Sequence, residues 1–300
     1  MWSFCKVFIV KKLNEIAVLG MGLLGGSITL AVLRSLPKIK AVGFSHRPST
    51  RKKARQLGVA TKVVDCLAES LCRADLVILA TPVFTFEQIF DEIADSLKPG
   101  CIVTDVGSTK LLAHRWAAKA LPKNVYYVGS HPIAGSEQRG IEFARDDLFD
   151  GADCILTTTK TTNKTAVRTL KDFWSALGCC VKMMSPAKHD KIFADVSHLP
   201  HLTAVALVNA NDPDELKFAG KGFMDSSRVA SGPANIWVDI LLTNVGNAAK
   251  GIDKVTAELG KLKKAIETGN RKQLEKLLDN ARDKRGKLIR DKIRAKEMES

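Results

Sequence analysis

The stretch from residue 15 to residue 35 constrains the fold of this chain more than any other. Residues 16–19 form a short apolar run typical of a buried parallel strand, and a G-x-G-x-x-G pattern with helical character follows. Glycine lets the chain turn sharply and lets a pyrophosphate approach the free N–H groups of a helix start. The stretch therefore predicts a dinucleotide-binding turn. Its predicted cofactor contacts are Gly20, Gly22, Leu23, Leu24 and Gly25.

Two other structures compete for this stretch, a glycine-rich packing turn and a membrane span, because residues 16–33 carry no charge. Four glycines in a strand-turn-helix pattern, without a second hydrophobic stretch, argue against a span. Seven scattered cysteines without CxxC spacing indicate reduced thiols rather than disulfides or a metal site. The first twelve residues do not make a convincing signal peptide. We expect a cytoplasmic protein with no membrane segment and no metal.

Strands alternate with helices through residue 120, which predicts an α/β domain with a Rossmann-type doubly wound parallel sheet. Ligands bind such sheets beyond the carboxyl ends of the strands, where Thr81, Pro82 and Ser108 are expected beside the glycine turn. Further strands are predicted at residues 41–45, 61–64, 75–80, 102–105 and 126–129, and helices at 51–57 and 84–97.

The turn after the second predicted strand bears on the choice of cofactor. NAD-specific folds place a carboxylate there to bind the ribose hydroxyls, but this chain has hydroxyls and cations instead. That composition suits a 2′-phosphate, so NADP is favoured over NAD. The alternative is that the cations are solvated residues that begin the next helix. The predicted contacts are Ser45, His46, Arg47 and Thr50, with Arg51 as a further cation.

His131 follows the predicted strand 126–129, in a loop that contains proline and glycine. A histidine at a strand end is well suited to proton transfer near neutral pH. We therefore predict that His131 is catalytic, and that a hydroxyl such as Ser108 hydrogen-bonds the imidazole or the reacting oxygen.

The pattern changes near residue 185, which predicts a dinucleotide-binding domain over 1–184 and an all-α domain over 185–300. Residues 186–210 are a long helical stretch interrupted near Pro200. Residues 254–300 contain 15 Lys or Arg against 8 Asp or Glu, about half of the net charge of +14. A basic tail could bind nucleic acid, but apolar residues recur there at helical spacing. We favour a solvated helical hairpin with no nucleic acid, in a domain that forms a homodimer.

Two residue pairs in the helical region allow both a structural and a functional interpretation. His198 and His201 share a helical face and are either a packed pair or part of a pocket; zinc is not indicated, because no Cys or acid lies at ligand spacing. Asp225 and Arg228 are either a surface ion pair or a carboxylate clamp. His114 and His189 are interpreted as structural.

Six motifs between about residues 14 and 239 carry a resemblance to one known family. The histidine-containing motifs are the specific ones; the glycine turn alone is not. On these motifs the chain resembles the prephenate dehydrogenase family, including its arogenate-using (cyclohexadienyl) members. The motifs are Gly20-x-Gly22-x-x-Gly25-Gly26-Ser27, Asp105-Val-Gly-Ser108-Thr-Lys, Gly129-Ser-His131-Pro-Ile-Ala-Gly-Ser-Glu137, Ser185-Pro-Ala-Lys-His189-Asp190, Ser197-His198-Leu-Pro-His201 and Asp225-Ser-Ser-Arg228 with Trp237.

The resemblance implies an oxidative decarboxylation in tyrosine biosynthesis. Prephenate and NAD(P)+ would give 4-hydroxyphenylpyruvate, carbon dioxide and NAD(P)H. His131 would polarise or deprotonate the ring hydroxyl, and Ser108 would orient both. Arg228 would hold a substrate carboxylate and Asp225 would hold Arg228. The implied substrate-binding residues are Ser136, Glu137, His198, His201, Asp225 and Arg228.

Three alternatives remain open at this point. Arogenate, which differs from prephenate by an amine in place of the ketone, would give tyrosine directly. A β-hydroxyacid dehydrogenase also joins a Rossmann domain to a helical one, although that class relies on a catalytic lysine. A redox-sensing dinucleotide-binding protein would use the basic tail to contact nucleic acid.

Overall fold

The computed structural model describes residues 13–134 and 138–294. The chain divides into two compact units, residues 1–247 and 248–300. The sequence-based boundary at residue 184 lies inside the first unit and stays a prediction about domain organisation.

The first unit contains a six-stranded parallel sheet in the order β3-β2-β1-β4-β5-β6. Side chains along each central strand alternate between two apolar clusters; Ile16 and Val18 lie in one, Ala17 and Leu19 in the other. The sheet is therefore buried on both faces, as the apolar runs of the sequence predict. Its strands are β1 (Glu15–Leu19), β2 (Lys40–Phe44), β3 (Lys62–Val63), β4 (Leu76–Leu79), β5 (Ile102–Asp105) and β6 (Tyr126–Tyr127).

Helices connect these strands, and the prediction of a Rossmann-type sheet followed by a helical region is confirmed. The predicted helix over 84–97 is divided, because short 3₁₀ turns at Val83–Thr85 and Ala94–Ser96 flank its α-helical centre. The helices are α1 (Leu23–Ser35), α2 (Pro48–Gln56), α3 (Leu67–Leu71), α4 (Phe86–Ile93) and α5 (Leu111–Ala120).

The prediction of one strand over 126–129 was wrong. The chain leaves the parallel sheet after Tyr127 and enters a second, three-stranded sheet in the order β7-β8-β9. In that sheet β7 is antiparallel to β8, and β8 is parallel to β9. His131 therefore lies within a strand of the second sheet. The bounds are β7 (Gly129–Pro132), β8 (Asp153–Thr157), α6 (Lys164–Ala176) and β9 (Cys180–Met184).

The remainder of the first unit is helical. A π-helical turn over Ala194–His198 separates α7 from α8, directly before Pro200, where the sequence predicts an interruption. The helices are α7 (Pro186–Phe193), α8 (Leu199–Asn209), α9 (Pro213–Leu216), α10 (Lys221–Ser227) and α11 (Ala234–Thr243), with a 3₁₀ turn at Arg228–Ser231.

Two long helices, α12 (Val245–Glu267) and α13 (Arg271–Arg294), account for most of the second unit. Gly269 has a φ of +60° in the short turn between them. The helical interpretation of the basic tail is confirmed. Among the described residues, none of the helices has the length and apolarity required to cross a bilayer.

Candidate active site

The glycine turn after β1 has the shape that a dinucleotide requires. Gly20 has a φ of +104°, and a Cβ there would lie 2.6 Å from the carbonyl oxygen of Ala80. A Cβ at Gly25 would collide with the Gly20 carbonyl and press on Val18 of β1. Side chains at either position would force the turn open, because real Cβ atoms essentially never approach a neighbour this closely.

The start of α1 fits a pyrophosphate. Gly22 is the N-cap residue, no side chain caps it, and a Cβ at this position would meet no atom within 4 Å. The first turn of α1 contains no acidic residue. Since the first N–H groups of a helix have no partner inside it, this end offers donors and positive potential to an anion. Leu23 and Leu24 lie in this first turn.

The predicted residues of the neighbouring strands lie at the same edge of the sheet. The Thr81 methyl carbon would be 2.9 Å from a Cβ at Gly20, so Thr81 and Pro82, beyond β4, flank the glycine turn. Ser108 follows β5, the next strand along. This grouping at the carboxyl ends of β1, β4 and β5 is where Rossmann sheets bind ligands.

The turn after β2 contains two arginines, but Arg51 is already bonded within the protein and only Arg47 is exposed to a ligand. Arg51 donates from Nη1 to the carbonyl oxygens of Ser45 and His46, at 2.6 and 3.0 Å, and from Nε to Asp65 at 2.7 Å. Arg51 therefore shapes the turn and is not simply solvated. Arg47 and His46 are exposed, whereas Ser45 is buried and Thr50 is half-buried.

His131 begins a chain of three hydrogen-bonded side chains. Its Nδ1 lies 2.9 Å from Nε2 of His189, and Nδ1 of His189 lies 2.8 Å from Oδ1 of Asp190. Asp190 also accepts the backbone N–H groups of Lys110 and Leu111, each at 2.8 Å. The carboxylate is thus held by three N–H donors, and through His189 it orients both imidazoles.

The surroundings of His131 favour its neutral form. Close packing lowers the pKa of His131 well below its ordinary value of 6.5, and the neighbouring His189, Lys110 and His198 lower it further. The residue is nevertheless half-buried rather than fully buried. A neutral imidazole at neutral pH can accept a proton, which is the property a general base requires.

A buried ion pair lies beneath this chain. The Lys110 ammonium group contacts the Asp105 carboxylate and donates to the Ser130 carbonyl oxygen at 2.8 Å; both charged side chains are fully buried. Asp105 also accepts the Tyr127 hydroxyl at 2.5 Å and the Gly107 N–H at 2.7 Å. Since a buried pair needs such additional partners to be tolerated, this cluster fixes the backbone immediately before His131.

His198 and His201 both contact Trp237, as a shared helical face predicts. His201 stacks on the indole with ring centroids 3.6 Å apart and bonds the Val229 carbonyl oxygen at 2.8 Å; His198 approaches it edge-on at 6.3 Å. Burial lowers the pKa of His198 to about 4. Asn244 links His198 to the three-residue chain, because its Nδ2 lies 3.4 Å from His198 Nδ1 and 2.8 Å from the Asp190 carbonyl oxygen.

Some predicted pairings are absent from the part of the chain that the structure describes. No hydrogen bond joins Ser108 to His131 among the described residues, and Nδ1 of His131 is bonded to His189 instead. Asp225 and Arg228 are exposed and lie one turn apart, but neither a hydrogen bond nor an ion pair joins them. Ser136 and Glu137 lie outside the described residues. The roles assigned to these five residues stay predictions.

Sequence reasoning missed the importance of His189, which it left as a structural residue. The structure places His189 between His131 and Asp190. The available signal was the adjacent pair His189-Asp190 in the first turns of a helix that starts at Pro186. Nothing in its spacing could show the contact, because His131 and His189 are separated by 58 positions.

The parallel sheet, the glycine turn and the neutral histidine beyond it are features of a nicotinamide-dependent oxidoreductase. Family models for the prephenate dehydrogenase nucleotide-binding domain and dimerization domain match residues 28–183 and 185–280. The chain belongs to the prephenate dehydrogenase family, so it is an oxidoreductase that uses a nicotinamide cofactor.

Known relatives agree with this assignment. The chain is 34% identical to prephenate dehydrogenase of Bacillus subtilis (strain 168) over 279 residues, which cover 91% of this chain and 75% of that protein. The crystal structure of Aquifex aeolicus prephenate dehydrogenase with hydroxyphenyl propionate and NAD+ is 34% identical, has a TM-score of 0.86, and is matched over 92% of this chain and 99% of that one. Synechocystis arogenate dehydrogenase is 29% identical, with a TM-score of 0.79 over 91% and 99% of the two chains.

Proposed function

We propose that this protein oxidatively decarboxylates prephenate to 4-hydroxyphenylpyruvate, with NADP as the preferred cofactor. The observation that carries the proposal is the neutral His131, anchored through His189 and Asp190 next to the cofactor edge of a prephenate dehydrogenase fold. Family membership supports the reaction class, and the two relatives named prephenate dehydrogenase support the substrate.

The residues of the glycine turn fit the cofactor, which supplies the hydride acceptor when bound. The pyrophosphate would lie against the start of α1, with Thr81 and Pro82 beside it. His131 would accept the proton of the ring hydroxyl as the same carbon gives up its hydride. The electrons of the bond to the ring carboxylate would then complete the aromatic ring as carbon dioxide leaves, and the proton held by His131 would return to the phenolate oxygen. Because formation of the aromatic ring drives the reaction, the protein mainly has to hold substrate and cofactor in the correct orientation and to provide one proton acceptor.

The substrate carries two carboxylates, and Arg228 would bind one of them. Arginine suits this task because its planar fork matches a carboxylate. His198 and His201, held by Trp237, would line the side-chain pocket, and Ser108 would face the hydroxyl. We further propose that Ser136 and Glu137 contact the substrate and that Asp225 orients Arg228 when the substrate is bound.

The preference for NADP rests on the turn after β2. Residues 45–51 of this turn include no carboxylate of their own, and Arg51, which also pairs with Asp65, holds the backbone of Ser45 and His46 in place. An exposed cation and hydroxyls at this point suit a 2′-phosphate better than a free hydroxyl.

We also propose a cytoplasmic homodimer formed through the helical region, with no nucleic-acid partner. The matched dimerization-domain model supports the assembly. The six described cysteines are all free, which suits a reducing compartment. In this proposal residues 185–300 serve as the substrate-binding and dimerisation domain, and residues 1–184 bind the cofactor.

A paired assay with both substrates and both cofactors tests the function. With prephenate and NADP, each mole of NADPH should appear with one mole of carbon dioxide. A higher kcat/KM with arogenate would favour the alternative, for which the Synechocystis relative provides the precedent. Reduction of cofactor by a β-hydroxy acid, without release of carbon dioxide, would reject both.

A further inference from the structure

We propose that His189 and Asp190 are positioning residues that fix His131 as the Nδ1–H tautomer, so that Nε2 is the atom that receives the substrate proton. The inference deepens the proposed function and rests on it for its catalytic meaning. The arrangement of protons follows from the three side chains themselves, starting at Asp190.

Asp190 determines the first proton position. Its Oδ1 accepts the Lys110 N–H and its Oδ2 accepts the Leu111 N–H, so both oxygens act as acceptors. The 2.8 Å contact between Oδ1 and Nδ1 of His189 therefore requires a proton on the nitrogen. In a neutral histidine, Nε2 is then left with a lone pair. Burial lowers the pKa of His189, which favours this neutral form.

The tautomer of His189 in turn determines the tautomer of His131. The unprotonated Nε2 of His189 lies 2.9 Å from Nδ1 of His131, so His131 must donate through an Nδ1–H. Nε2 of His131 then carries the lone pair, and it has no hydrogen-bond partner among residues 13–134 and 138–294. Only this nitrogen is left to accept a proton from a ligand.

Packing holds the two rings in these orientations. Phe193 stacks on His189 with centroids 4.5 Å apart and contacts His131 at 4.9 Å. His189 is fully buried and Asp190 almost so. When His131 accepts a proton at Nε2, the positive charge stays on its ring, where the polarised hydrogen bonds through neutral His189 to the Asp190 carboxylate stabilise it; no proton needs to move along the chain.

The tautomer can be read directly, without turnover. Ring ¹⁵N shifts of histidine-labelled full-length protein at neutral pH should show a protonated Nδ1 and an unprotonated Nε2 for His131. The signals are assigned by their loss in His131→Asn. If the His131 ring of the parent protein carries its proton on Nε2, the inference is wrong, irrespective of the results with the variants.

Two substitutions at His189 separate positioning from packing. His189→Phe keeps a ring against Phe193 but removes the acceptor, so the Nδ1–H preference should disappear and kcat should fall about 10²-fold. His189→Gln can place an amide oxygen near the position of Nε2, and it should restore the tautomer and much of the kcat. An unchanged tautomer and kcat in His189→Phe would contradict the proposal.

His114→Phe is the matched control. His114 is another histidine of the first unit, half-buried, packed edge-on against Tyr127 at 4.9 Å and bonded to Thr157 at 2.9 Å. This substitution should leave the His131 tautomer unchanged and kcat within a few-fold. If prephenate is not a substrate but His131 carries its proton on Nδ1, the proposed function is wrong and the positioning role of His189 stands. If prephenate is a substrate but the proton of His131 lies on Nε2, only the positioning role is rejected.

Discussion

The histidine chain around His131 and the basic turn after β2 are built in opposite ways. Within the described residues, each polar group of the chain His131–His189–Asp190 is matched by another group of the protein, except Nε2 of His131, which is left for the substrate. In the turn, Arg51 is bonded to backbone, whereas Arg47 is exposed and extends from the start of α2. Folding alone therefore satisfies nearly all polar groups of the histidine chain, whereas Arg47 in the turn would gain its partner only when the cofactor binds. We therefore expect steep losses from changes in the first region and graded losses from changes in the second.

The largest effect is expected at His131. His131→Asn removes the proton acceptor from the prebuilt chain, so kcat should fall about 10²–10⁴-fold. The cofactor dissociation constant, measured by fluorescence titration, should stay within a few-fold, because the glycine turn is a separate element. If His131→Asn retained more than a tenth of the parent kcat, changes in the histidine chain would not cause the steep losses expected of it.

A smaller effect is expected at Arg228, an exposed cation that, like Arg47, would act on a ligand. Arg228→Ala should raise the KM for prephenate about 10–10²-fold, because a hydrogen bond to a charged group contributes about 1.5–3 kcal/mol. Lys221→Ala, which removes an exposed cation from the start of α10, is the matched control and should leave KM unchanged. Equal KM values in both variants would make Arg228 a structural residue.

The smallest effect is expected at Arg47. Arg47→Ala should lower the ratio of kcat/KM for NADP to that for NAD about 5-fold, because an exposed ion pair contributes up to about 1 kcal/mol. Lys52→Ala, an exposed cation of the same helix, should leave the ratio unchanged. A parent enzyme that clearly prefers NAD would reject the NADP proposal at the outset.

Local sequence patterns were sufficient to predict the parallel sheet. The strands β1, β4 and β5 are short apolar runs, and glycines mark the first turn, so hydrophobic pattern and backbone chemistry point to the same structure. The edge that carries Thr81 and Ser108 follows from the geometry of parallel strands. These features depend on residues close together in the chain.

The second sheet and the histidine chain could not be predicted in the same way. The sequence predicts one strand over 126–129 followed by a loop, whereas the change of sheet at Val128 depends on pairing with β8, more than twenty residues later. The contact between His131 and His189 likewise depends on tertiary packing. Arg51 appeared to be a free cation because sequence alone does not show which carbonyl groups lie within its reach.

The pH dependence of kcat/KM tests most directly whether a neutral His131 receives the substrate proton. The pKa of His131 lies well below 6.5, since burial and three nearby histidine and lysine side chains disfavour the imidazolium. The account predicts that kcat/KM with prephenate is level from pH 8 to 6.5, falls only at lower pH as His131 is protonated, and that His131→Asn removes this fall. A decline centred at or above pH 6.5, or the same decline in the variant, would contradict it.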